Sequence, residues 1–106
     1  MDYETIAPEA FGASLTGIGL NLLVRDVRAE VAFLERVFGM RGHRVSVDFA
    51  IMTYRGQLLQ LHADHTYGDN PLLELVPDLP TRGAGAEFRL YETDPDEAAT
   101  QARAYG

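Results

Sequence analysis

Two stretches of this chain carry the same punctuation. Gly17 opens an alternating apolar run, Asp26 follows nine residues later, and residues at helical spacing continue to a stop at Gly39. Gly85 opens a second such run, Asp94 again follows nine residues later, and the chain reaches Gly106. Gly17 and Gly85, like Asp26 and Asp94, lie 68 residues apart. A strand, a helix cap, a helix and a glycine stop recurring at one interval predict internal duplication of a β-α unit.

The first copy is the sharper. Ile18, Leu20, Leu22 and Val24 alternate with Gly19, Asn21, Leu23 and Arg25, which predicts a strand over 17–25 with two distinct faces. Asp26 is placed as an N-cap, and Val27, Val31, Leu34, Val37 and Phe38 predict a helix of about three turns that ends at Gly39. Three short apolar segments follow, at 41–47, 49–54 and 57–62, with Arg55-Gly56 as a tight turn between the last two. The unit reads β-α-β-β-β.

Around it the chain divides plainly. Residues 1–16 show neither a strand nor a helix period and read as a tail or loosely docked arm. Residues 17–63 form the first module. Residues 64–84, with Pro71, Pro77 and Pro80, form a connector whose Leu72, Leu73, Leu75 and Val76 are expected to pack a short turn onto the body. Residues 85–106 carry a strand over 86–91, and a helix opened by Asp94-Pro95-Asp96-Glu97, with a capping Asp and a proline at the first helical position. The whole predicts one α+β domain.

Composition narrows the chemistry. A chain of 106 residues with 46% hydrophobic residues can bury a core without metal or disulfide support. No cysteine is present, so disulfides, thiolate metal sites and thiol nucleophiles are excluded. A net charge of -7 argues against nucleic acid and anionic membrane surfaces, because phosphate binding needs clustered cations. All nine basic residues are arginine, which removes Schiff-base chemistry and a P-loop lysine. No apolar run reaches the ~18 residues of a membrane span, and a cytoplasmic address is expected. H-E-x-x-H, G-x-S-x-G and G-x-G-x-x-G are all missing. His62 and His65 form H-x-x-H, but on a strand that spacing puts the rings on opposite faces, and His43 is expected to face solvent.

With these segments in view, GIGLNLLVRDVRAEVAFLERVFGM (17–40), QLLQLHAD (57–64) and GAEFRLYETDPDEAATQARAYG (85–106) resemble the vicinal oxygen chelate superfamily, which includes glyoxalase I, extradiol dioxygenases and bleomycin-resistance binding proteins. The resemblance implies paired βαβββ modules, a mixed sheet curled into a cup with helices on its outer face, and a ligand on the concave side. It implies that this chain holds one whole module and the first strand and helix of another, so that an exposed edge awaits further strands or a partner. It also implies metal-ligand positions at Gly19, Gln60 and Glu87. Gly19 has no donor and Gln60 is a neutral amide, so no family-type metal site or other cofactor is expected.

Strand parity then names the inward wall. With Ile18, Leu20, Leu22 and Val24 toward the helix layer, the opposite face presents Asn21, Leu23, Met52, Gln60, His62, Glu87, Arg89 and Tyr91, with Leu58 beside them. Such a mixture suits a partly polar organic molecule. The expected function is small-molecule binding of the glyoxalase and bleomycin-resistance type without the standard metal. Two alternatives stand beside it: a metal-dependent lyase or dioxygenase with a displaced site, and a structural or regulatory dimer whose cup is filled by side chains. A homodimer is expected in each case.

Overall fold

A computed structural model describes residues 1–68, 83 and 85–106. The elements are α1 (Pro8–Ser14), β1 (Asn21–Val24), α2 (Val27–Phe38), β2 (Arg41–His43), β3 (Phe49–Tyr54), β4 (Gln57–Ala63), a 3-10 turn (Asp64–Tyr67) and α3 (Pro95–Tyr105). The expected packing of Leu72, Leu73, Leu75 and Val76 in the connector lies outside the described residues.

The first module folds as its pattern requires. Asp26 accepts the Ala29 N–H at 3.0 Å, capping α2, and Gly39 closes the helix in the left-handed conformation at φ 72°. Arg55 and Gly56 both have positive φ, 51° and 81°, which is the turn that matches the twist of a two-residue hairpin. The four strands form one unclosed mixed sheet in the order β1-β4-β3-β2, with β1 parallel to β4 and the other pairs antiparallel. The crossover through α2 joins the parallel pair.

One face of this sheet is the core. Val27 and Val31 of α2 pack with Ala50, Met52, Leu61 and Ala63, and Leu22, Val24, Leu34, Met40 and Leu59 close around them. A Val, Leu or Met side chain contributes roughly 1.5–3 kcal/mol when fully buried, and the two alanines less. At Gly42 an added Cβ would sit 2.8 Å from Val31 Cγ1, so the close approach of α2 to β2 depends on that glycine. α3 packs beside α2: the Phe33 and Tyr105 rings meet edge to face at 6.0 Å, and the Arg36 guanidinium stands 5.9 Å from the Tyr105 ring centre.

Several expectations need correction. The first strand is shorter than 17–25, because Gly17 at φ 73° bends the chain away, leaving Ile18 fully exposed rather than against the helix layer. β2 ends at His43, since Arg44 at φ 53° leaves the extended region and Ser46 Oγ accepts the Asp48 and Phe49 N–H groups in a tight turn. Residues 86–90 form no strand: no described strand lies beside them, and alternation without a ladder partner does not make one. The tail contains α1, opened by Pro8 at its first turn with Glu9 beside it.

Candidate functional site

The face turned away from α2 carries four of the anticipated residues, Asn21, Leu23, Gln60 and His62. Register pairs Asn21 with Gln60 and Leu23 with His62 across β1 and β4, while Ile51 of β3 stands beside Gln60 and Phe49 beside His62. Met52, expected on this face, is instead 1% exposed against α2, pairs with Leu59 and borders the cleft that Gln60 also lines. The parity of β3 is one residue out of step with that expectation, and such a slip moves every side chain to the other face. Ile51 takes the place assigned to Met52.

A polar and aromatic cluster forms at the β1–β4 half of this face. The His62 imidazole lies between two rings, Phe49 at 4.9 Å and Tyr67 at 5.7 Å, both edge to face. Burial lowers the His62 pKa, because desolvation disfavours the imidazolium, so the ring is neutral near pH 7 and offers one donor and one acceptor. Tyr67, brought back over the sheet by the 3-10 turn, accepts a 2.7 Å hydrogen bond from Asn21 Nδ2. Sequence reading did not select Phe49 or Tyr67, whose roles depend on contacts across strands and across 46 residues.

Glu87, Arg89 and Tyr91 lie outside that cluster. Glu87 and Arg89 are exposed and joined by an ion pair, and Tyr91 is exposed. Arg89 does meet the site at one point. With Phe88 and Leu90 it borders an open cleft of about 920 Å³ whose other wall includes Gln57, Leu58 and Gln60, so Gln60 stands where the cleft and the open face join. Tyr54 holds this region to the sheet through a 2.7 Å hydrogen bond between its hydroxyl and Thr93 Oγ1, and Arg55 Nη2 donates to the Glu92 carbonyl at 3.0 Å.

The remaining histidines are placed by other partners. His65 Nε2 is 2.6 Å from Asp48 Oδ1, an exposed pair that does not converge with His62 on a common point. Among the described residues no group of three or more His, Asp or Glu side chains is gathered to hold a metal. The three ligand positions implied by the resemblance do not fit an ion: Gly19 has no side chain, Gln60 is an amide and Glu87 is engaged by Arg89. His43, expected in solvent, has a side chain only 15% exposed and bonds Thr53 Oγ1 at 2.9 Å.

The fold is similar to that of a glyoxalase/bleomycin resistance protein/dioxygenase family enzyme from Burkholderia phytofirmans PsJN, with a TM-score of 0.61 at 23% identity over 82% of this chain and 70% of that one. No protein-family model matches the sequence, and no curated protein matches it. Among the described residues no helix is long and apolar enough to cross a membrane.

Proposed function

We propose that this chain, built on the vicinal oxygen chelate fold, binds a small, partly polar organic molecule along β1 and β4 on the face away from α2, without a family-type metal. The observation that carries the reading is the neutral, half-buried imidazole of His62 held between Phe49 and Tyr67, with Asn21 bonded to the Tyr67 hydroxyl. Asn21, Gln60 and His62 supply donors and acceptors, Leu23 and Leu58 the apolar surface, and Arg89 a cation across the cleft from Gln60. Glu87 orients Arg89 through their ion pair. Tyr91 takes no direct part. Among the described residues the His62 imidazole is flanked by aromatic rings rather than by a carboxylate, an arrangement that suits binding and recognition.

A second reading has its own support: the open face is partly occupied by the chain's own Tyr67 and Tyr3, as a structural or regulatory module would have it. In either reading a homodimer is expected, and light scattering measures that directly.

Thermal shift against a panel of planar polar compounds, with His62→Leu as control, separates these. The binding reading predicts at least one compound that raises Tm in the wild type and loses that effect in the variant. No response across the panel supports the filled module. A stoichiometric rise with Zn, Ni, Mn or Fe(II) favours instead the lyase or dioxygenase with a displaced site.

A further inference from the structure

We propose that the face away from α2 holds a second binding site, at the β2 edge, for a small aromatic carboxylate, and that Tyr3 and Glu4 occupy it as an internal substitute for that ligand. The Tyr3 ring meets the His43 imidazole at 5.4 Å and is backed by Phe11 at 5.9 Å. Glu4 Oε1 accepts the Arg44 N–H at 2.9 Å and lies 4.0 Å from His43 Nδ1. One ring and one carboxylate, a residue apart, are therefore gripped together by β2 and the residue after it.

Part of the receiving surface is held by partners outside the arm. His43 is fixed by Thr53 Oγ1 on the neighbouring strand, and its register partner Ile51 is 0% exposed, which gives an apolar floor. Arg44 sits at φ 53°, a conformation that costs a non-glycine residue energy, and its N–H leaves the ladder to meet the Glu4 carboxylate. Arg41 adds a cation on the same face, opposite Thr53. Backbone N–H, imidazole and apolar floor together recognise an aryl ring bearing a carboxylate, with the Arg41 cation further along the same strand face.

The arm is pre-shaped for the role and remains displaceable. Asp2 Oδ1 accepts the Glu4 N–H at 2.9 Å, and the Ile6 N–H bonds the Asp2 carbonyl at 3.1 Å, so a local turn presents Tyr3 and Glu4 side by side. Yet the Glu4 side chain is 58% exposed. A tethered occupant competes at high effective concentration, so an external ligand binds weakly until the arm is weakened. This site adjoins the cleft lined by Gln60, with Ile51 between His43 and Gln60, and shares no residue with the His62, Phe49 and Tyr67 cluster.

The test titrates phenylacetate, and phenylacetamide as its neutral counterpart, into the wild-type chain, Glu4→Gln and the double variant Tyr3→Ala/Glu4→Gln, followed by backbone amide and histidine ring NMR signals. Phenylacetate is expected to move the Arg44 amide and His43 ring signals and to bind about tenfold more tightly to the double variant than to the wild type, with the amide inert. Glu4→Gln changes an exposed side chain and carries the same test with a smaller gain should the double variant lose its fold. Equal affinity in wild type and Glu4→Gln, an equal response to phenylacetamide, or shifts confined to the His62 and Phe49 signals overturn the proposal, and the last of these leaves the β1–β4 ligand reading intact.

Discussion

The two β-α units begin from the same cues and end differently. After Gly17 the chain forms β1, a capped α2 and a left-handed Gly39; after Gly85 it forms a capped α3, but residues 86–90 remain outside any sheet. The helices agree because their signals are local: Asp26 bonds Ala29, Asp94 bonds both Asp96 and Glu97, and each needs only its own next turn. The strands disagree because a strand exists only through a neighbour. β1 has β4, and residues 86–90 have no described counterpart.

Core truncation breaks the symmetry most strongly. Leu61→Ala, in the module core, is expected to cost ~2–5 kcal/mol in a urea melt, whereas Phe88→Ala, half exposed in the second unit, costs under about 0.5 kcal/mol. Gly42→Ala is expected to cost ~1–3 kcal/mol, because the new methyl meets Val31 and the β-branched side chain turns aside with difficulty.

Cap removal sharpens the likeness between the helices. Asp26→Ala should lower global stability by ~1 kcal/mol, while Asp94→Ala loses a comparable local contribution but shows it as fraying of α3 in amide exchange, with the β3–β4 midpoint unchanged. Tyr54→Phe, which breaks the 2.7 Å bond to Thr93, is smaller still at ~0.5–1.5 kcal/mol and should loosen 92–94 first.

The smallest effect is with pH. His62 has a lowered pKa in the fold, so the unfolded chain binds its proton more readily; stability is full above about pH 6.5 and declines as pH falls through the lowered value. His62→Leu should flatten that part of the stability profile. Glu30 acts with the opposite sign in a separate window: burial raises its pKa, so its contribution weakens as pH rises through the carboxylate range.

Legibility in the sequence followed the range of the forces involved. Asp26, Gly39, the α2 stripe and the Arg55-Gly56 turn act within a few residues, and each forms where the pattern puts it. The parity of β1 and β4 was equally readable, since Leu22, Leu59 and Leu61 do lie against α2. Met52 was misplaced because a continuous apolar strand, FAIMTY, has no alternation to reveal which face is buried. Pro8 followed by Glu9 was a usable sign of α1, but nothing local tells that Tyr3 will meet His43 or that Tyr67 will reach Asn21.

Hydrogen exchange resolved at single amides tests the contrast between the units most directly. Strong protection in 57–63 of β4, intermediate protection in the later turns of α3 and at Ala86, whose N–H bonds the Gly83 carbonyl at 3.0 Å, and near-unprotected exchange over 87–90 is the expected result. Protection at 87–90 equal to that of β4 would contradict it, because those amides would then be bonded in a sheet.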